Sequence, residues 1–363
     1  MTDHTHLDAY IEHAARLFDQ AVDRVGGGPD CTVTVGGHPA RFRFAGSAMA
    51  DTIMPAMRHL VAADRPEGAT DDGAATGGGI ELTVLAWDEA STGVALPPPQ
   101  WDLIDSRDRA NARVFGDERF SLCYERRLDL FSAIDLHRGV AVAWTHDAAT
   151  LPSDFQGTPL ERLLQGWLRS KGLLVVHAGA VGVPGAGLLL AGRSGSGKST
   201  TSVRAISAGL LYVGDDCALV EGGPAPKIHA LYNSARLRRD ALETLLAMHD
   251  QVVNPQRSRA DKALVFLDSF APQQLATELP LRAIALPRVG GQTDTVVTPA
   301  APSEVYRAIA PDTALTMLGG DAQAVLALIR GLVSELPCYH LTLGSDGDGV
   351  TDALRGLLDG AAQ

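Results

Sequence analysis

Lys198 is the residue on which chemistry can first be built. It lies in Gly192-Arg-Ser194-Gly195-Ser196-Gly197-Lys198-Ser199-Thr200, which fills every fixed position of the phosphate-loop pattern G-x-x-x-x-G-K-[ST]. Glycines at 192, 195 and 197 let the backbone curl until its N–H groups converge on phosphate oxygens, aided by the positive end of a following helix. In that reading the loop from Gly192 to Thr200 cradles a nucleotide and Lys198 reaches its β- and γ-phosphates. The Ser199 hydroxyl is then a ligand for a bridging magnesium ion. The pattern demands a strand before it and a helix after it. An apolar run at 187–191 and a helical stretch at 201–208, closed by Gly209, meet that demand.

A second cluster follows closely. Asp215 and Asp216 stand at the end of an apolar run at 210–213, and His177 ends another at 173–176. In an open α/β sheet the ligand binds beyond the carboxyl ends of the strands, so acids there belong to the site. Neighbouring side chains on a strand point to opposite sides. One carboxylate can face a metal and the other an attacking hydroxyl only if the backbone turns, and Gly214 offers a place for that turn.

Such residues need a sheet to hold them. Further strands are expected at 263–267, 281–286 and 340–343, with helices at 241–248, 303–310, 322–336 and 350–358. Thr158-Pro159-Leu160-Glu161 reads as the N-cap, first-position proline and capping-box carboxylate of a helix that Gly172 ends. The pattern changes near residue 150, which sets the expected domains at 1–150 and 151–363. The first reads as a mixed α+β module: a helix over 7–25, a hairpin of 32–35 with 41–44 around Gly36-Gly37, and strands at 80–87, 120–124, 128–134 and 140–144. Its expected role is substrate docking or a structural cap. Residues 67–79 read as a surface loop without chemistry, and 245–262, with Asn254-Pro255 at its centre, as a mobile flap.

Composition narrows the partners. The 363 residues are 45% hydrophobic and 20% charged, an ordinary globular balance with room for two cores. A net charge of -12 repels a nucleic-acid backbone, so nucleic acid is not expected as a partner. No apolar run is long enough to span a bilayer and the first residues carry no leader pattern, which predicts a cytoplasmic protein without membrane association. Cys31, Cys123, Cys217 and Cys338 show no C-x-x-C spacing, so no zinc site or disulfide framework is expected.

His177, the loop opening at Gly192 and the pair Asp215-Asp216 occur in the order and at the separations found in the catalytic domain of HPr kinase/phosphorylase. The chain resembles that family of bacterial protein-serine kinases, relatives of phosphoenolpyruvate carboxykinases. The stretches His177-Ala-Gly-Ala-Val181, Leu211-Tyr-Val-Gly-Asp-Asp216 and Leu231-Tyr-Asn-Ser-Ala-Arg-Leu237 look more closely like the HPr-kinase-like serine kinases of bacterial peptide-modification clusters. The likeness covers 156–363 in layout, and its sharp motifs span 158–237.

The resemblance implies an α/β P-loop kinase domain of HPr kinase/phosphoenolpyruvate carboxykinase type, with ATP and magnesium as cofactors and a serine on a peptide or small protein as acceptor. It further implies that Asp215 is the general base, that Ser199 and Asp216 hold the metal, and that His177 assists the base. Two departures point away from HPr itself as substrate. Thr200 stands where true HPr kinases carry an acid, and their downstream Gly-rich signature with its acidic metal ligand is not found. In the corresponding region Arg236 is expected to bind phosphate, while Arg238 and Arg239 also suit a solvated helix face. Lys262 and Arg288, beside expected strands, are further cationic candidates. The family's closed rings make a homo-oligomer compatible with the resemblance. The same site would also suit a small-alcohol kinase acting on free serine, or a nucleotide sensor without catalysis.

Overall fold

The computed structural model describes residues 4–62, 79–104, 106–109, 111–243, 246–258, 260–316 and 322–361. The expected surface loop, apart from residue 79, lies outside the described residues. The chain forms two compact units, divided in sequence between Ser170 and Lys171.

The first unit is built on a sheet of eight strands: β1 (Asp30–Val35), β2 (His38–Phe44), β3 (Leu82–Asp88), β4 (Arg107–Arg109), β5 (Ala112–Gly116), β6 (Phe120–Glu125), β7 (Leu130–Asp135) and β8 (Val140–Thr145). Their order is β1-β2-β3-β8-β7-β6-β5-β4. The expected hairpin forms with Val35 opposite His38, and Gly36 and Gly37 take φ 55° and 84°, the paired positive values that a two-residue hairpin turn requires. The N-terminal helix runs Thr5–Val25, burying Leu7, Ile11, Ala14, Phe18 and Ala21 from successive turns, and joins one core with Trp87, Phe131 and Val142. Asp135, the last residue of β7, is wholly buried, and the Arg119 guanidinium holds it with bonds of 2.7 and 3.1 Å while also gripping Asp8.

Several features differ from expectation, among them β4 and β5, which no expected strand covered. The helix Ala48–Met57 went unread because it is almost continuously apolar, contains Pro55 and shows no polar stripe. The helix near 160 begins at Glu161, not Pro159: Leu160 takes φ 54°, a left-handed step that no helix passes through, and Thr158 closes a separate short helix, Ser153–Gly157. That second helix, Glu161–Ser170, packs on β6 and β7 and so belongs to the first unit. This moves the division from residue 150 to residue 170.

The second unit carries β9 (Leu173–Val176), β10 (Ala178–Val183), β11 (Ala186–Ala191), β12 (Leu211–Gly214), β13 (Ala218–Glu221), β14 (Lys227–His229), β15 (Ser234–Leu237), β16 (Ala263–Phe266), β17 (Glu278–Val289), β18 (Val296–Pro299) and β19 (Cys338–Leu343). All but β15 and β16 join one mixed sheet ordered β12-β10-β11-β17-β14-β13-β9, with β19 on the far side of β17 and β18 beyond it. β11, β17 and β19 run parallel. β10 is antiparallel to both its neighbours, β11 and β12, so those two point the same way. Helices Lys198–Ser207 and Gly347–Ala361 cover one face through Ala205, Val350 and Leu354 against Leu188, Leu190 and Ala285. The architecture is therefore mixed α/β with large mixed sheets in both units. Among the described residues, no helix is long and apolar enough to cross a membrane.

Truncating a large, fully buried side chain leaves a cavity as well as lost transfer energy. Phe18→Ala should destabilise the first unit by about 3–5 kcal/mol in urea denaturation followed by tryptophan fluorescence. His13→Ala, on the exposed face of the same helix, should shift it by less than about 0.5 kcal/mol.

Candidate functional site

Strand direction gathers the site. Because β11 and β12 are parallel across β10, their carboxyl ends leave the sheet at one edge, and β10 begins at that edge. Ala178 pairs with Ala191, and Ala180 with Gly214. His177 precedes Ala178, the loop 192–197 follows Ala191, and Asp215-Asp216 follow Gly214. Three separate segments are thus delivered to one place by backbone hydrogen bonds alone. The carboxyl ends of β17 and β19 reach the same edge through their parallel pairing, and Val289 and Leu343 end there.

The loop has the shape its glycines were expected to allow. Gly192, Gly195 and Gly197 take φ 149°, 85° and 105°. The φ of Gly197 closes that position to other residues, and a Cβ there would also lie 2.5 Å from Leu343 Cδ1 and displace that side chain. The helix starts at Lys198, three residues before the apolar pattern suggested, which puts its first backbone N–H groups inside the loop. Lys198 is buried, and its ammonium donates to the carbonyl oxygens of Gly192 and Arg193 at 2.6 and 3.3 Å. Ser194 and Gly195 are exposed, Ser199 and Thr200 half-buried, and the Ser196 hydroxyl oxygen is buried with no hydrogen-bond partner.

The turn that separates the two carboxylates falls on Asp216, which takes φ 59°, and not on Gly214. Aspartate is among the few residues that visit this region at low cost. Gly214 serves differently: a Cβ there would come within 2.8 Å of the Cys217 carbonyl oxygen. The two acids end in unlike surroundings. Asp215 is buried, and its Oδ1 makes no hydrogen bond of normal geometry; Oδ2 lies 3.5 Å from the Arg236 backbone nitrogen. Burial and then the neighbouring Asp216 charge push its pKa well above the usual carboxylate range, against opposing pulls from a Ser199 side-chain hydrogen bond and the Lys262 charge. Burial would also raise Asp216, but Arg236, Lys262, His177 and Lys198 outweigh it and hold that carboxylate ionised. Its Oδ2 accepts from Arg236 Nη2 at 2.9 Å and from Lys262 Nζ at 3.4 Å, and His177 Nε2 lies 3.7 Å from Oδ1.

A two-stranded ribbon supplies the cations. β15 and β16 pair with Arg236 opposite Leu264. Ala235, Leu237 and Val265 face inward onto Val203 and Ile206 of the helix that follows the loop, so alternation along β15 turns Arg236 the other way, toward Asp216. The buried Tyr212 hydroxyl donates to the Ser234 carbonyl at 2.7 Å and ties the ribbon to β12. Lys262 sits just before β16. Sequence reasoning missed what fixes it: Asn254 Nδ2 donates to the Lys262 carbonyl at 3.0 Å, and Asn254 Oδ1 accepts from the Leu264 N–H at 2.8 Å. The Asn-Pro pair was the available signal. Within the segment expected as a flap, whose residues 245 and 259 lie outside the described ones, Asn254 is thus pinned to the ribbon.

Ser194, Gly195, Gly197, Lys198, Ser199, Thr200, Asp216, Arg236, Arg238 and Lys262 line one cavity of about 310 Å³. Arg288 does not. Its Nε donates to Thr342 Oγ1 at 2.8 Å on the neighbouring strand, and the residue that lines the cavity is its successor, Val289. The oxygen donors Ser199 and Asp216, with the orphaned Oδ1 of Asp215 nearby, are of the hard type that magnesium takes. Among the described residues, no group of three His, Cys, Asp or Glu side chains is placed to hold a metal ion by itself.

No family model and no curated protein matches the sequence. Among solved structures, the Hpr(Ser) kinase/phosphatase from Coxiella burnetii aligns over 51% of this chain and 94% of that chain, at 8% identity and a TM-score of 0.29. A superposition that loose is no evidence of shared fold or activity, and the chemistry rests on the geometry of the site itself.

Asp215 also has a measurable thermodynamic signature. Its folded-state pKa is raised, so the folded protein holds this proton longer than the unfolded chain, and stability is lost as pH climbs from the ordinary carboxylate range to the raised value. Asp215→Asn should therefore raise the urea midpoint of the second unit at about pH 8, with the advantage shrinking as pH falls toward about 4. An equal effect at both pH values would mean that the carboxyl is not raised.

Proposed function

We propose that the second unit is an ATP- and magnesium-dependent kinase that transfers the γ-phosphoryl group to a serine hydroxyl of a peptide or small protein. One observation carries the reading: a complete phosphate-loop pattern, lying between a strand and a helix N-terminus, lines one cavity with Asp216, Arg236, Arg238 and Lys262, while Asp215, whose pKa is displaced the opposite way to that of Asp216, is buried next to Asp216 in the chain without lining the cavity. That set of groups suits phosphoryl transfer, which asks mainly for positioning and charge neutralisation.

In this reading the loop N–H groups and the start of the following helix hold the β- and γ-phosphates. Lys198, whose ammonium rests on the loop's own carbonyls, exchanges those partners for phosphate oxygens. Arg236 and Lys262 divide their charge between Asp216 and the transferring group. Ser199 and Asp216 would hold magnesium, with phosphate oxygens and water completing its shell; the bound ion would neutralise charge on the phosphates. Asp215 accepts the serine proton. Its raised pKa fits that duty, since a base is most effective when its pKa approaches the working pH.

The test is incubation with γ-labelled ATP, magnesium and a serine-containing peptide library, with free serine as competitor, followed by mass spectrometry. Phosphate should appear on peptide serine. Lys198→Ala should reduce it at least about 100-fold, and Asp215→Asn should abolish it while ATP still binds. The wild-type rate should rise with pH through a range well above that of an ordinary carboxylate. Label on free serine alone would transfer the proposal to a small-alcohol kinase, and bound ATP with no label on any acceptor would sink it in favour of a sensor.

A further inference from the structure

The first unit carries a cavity of its own, about 370 Å³, walled by Tyr10, Trp101, Tyr124, Phe131 and Trp144 with Asp129 at its side. Its construction is specific. Tyr124, Phe131 and Trp144 are successive partners across β6, β7 and β8, so their side chains share one face of the sheet. Tyr10, from the N-terminal helix, meets the Phe131 ring at 5.6 Å and 80°. Trp101 meets the same ring at 6.4 Å and 73°. Two walls thus stand perpendicular to a floor. Four of these large aromatic side chains, Tyr10, Trp101, Tyr124 and Trp144, are only partly buried, although they adjoin a well-packed core.

Charge decides what such a box would hold. Aromatic faces are electron-rich and attract cations, and attraction grows when several rings and a carboxylate converge. Asp129, held in the left-handed region at φ 46°, is exposed and accepts a 2.7 Å hydrogen bond from the Tyr124 hydroxyl. The nearby cations have other partners: Arg126 pairs with Asp108, and His146 with Glu89 at 3.2 Å. Arg113 bonds Ser106 at 2.9 Å and places its guanidinium 5.1 Å from the Trp101 ring without lining the cavity. One ring of the box therefore already binds a cation, from outside.

We propose that this aromatic box binds an alkylated ammonium group, its charge against the ring faces and Asp129, its methyl groups filling the cavity. The group could belong to a free small molecule or to a modified lysine on a peptide; the recognition chemistry is the same. This site is independent of the kinase reading, since every residue in it belongs to the first unit.

The experiment uses the full chain and follows its tryptophan fluorescence, confirmed by calorimetry, during titration with choline, an Nε-trimethyl-lysine peptide and the neutral isostere 3,3-dimethylbutan-1-ol. The cations should bind at least about tenfold more tightly than the isostere. Asp129→Asn should weaken cation binding about fivefold without changing the isostere, and Trp101→Leu should remove most of it. His13→Ala, exposed on the N-terminal helix and outside the box, should stay within about twofold and controls for folding. Choline binding more tightly than the peptide would assign a small molecule, and the reverse order a modified lysine. Equal binding of cation and isostere, or binding of neither cation, would overturn the proposal.

Discussion

The site depends on one strand running against its neighbours. β10 pairs antiparallel with β11 on one side and β12 on the other, and this double reversal is what sends the loop and the acid pair out of the same edge. Had β10 lain elsewhere, β11 and β12 could not have kept common direction while bonded to one intermediary, and His177 would open onto a different surface. Every later feature, from the Lys198 contacts to the ribbon that carries Arg236, is arranged around that edge. The pairing shifts register between Ala180 and Val181, so the ladder is irregular where β12 approaches its acids.

A second constraint is electrostatic. Adjacent buried carboxylates cannot both ionise freely, and this chain resolves the conflict by geometry. The left-handed backbone at Asp216 turns that side chain toward Arg236, Lys262 and His177 and leaves Asp215 in a drier setting with weak hydrogen bonds. Two chemically identical groups thereby have their pKa values displaced in opposite directions.

Much of this was legible in sequence. The phosphate-loop spacing, its strand and helix, and the acids at a strand end all rest on short-range rules, and their placement followed those rules. The long-range features were harder. β10 is not among the strands expected from the sequence; a Cβ on Gly179 within it would press to 2.7 Å on Ser202 Oγ, a contact with the helix after the loop that no local pattern reveals. Arg288 looked equivalent to Lys262, yet strand pairing directs it to Thr342. Asn254 reads from sequence only as the turn of a flap, although its side chain bonds the Lys262 carbonyl and the Leu264 N–H and so fixes the start of β16. The aromatic box was invisible because its rings come from a helix, a turn and three strands.

The fit of Gly197 against Leu343 has a consequence for how this sequence can change. The curvature of the loop is specified at two points distant in the chain: the glycine that bends it and the leucine that fills the space a side chain would need. Leu343 closes the strand that leads to the last helix, Gly347–Ala361. A bulkier or differently shaped side chain at position 343 would therefore press on the loop at Gly197, whose φ of 105° already holds that position to glycine. The strand Cys338–Leu343 is thereby part of what shapes the loop, though none of its residues belongs to the loop's motif.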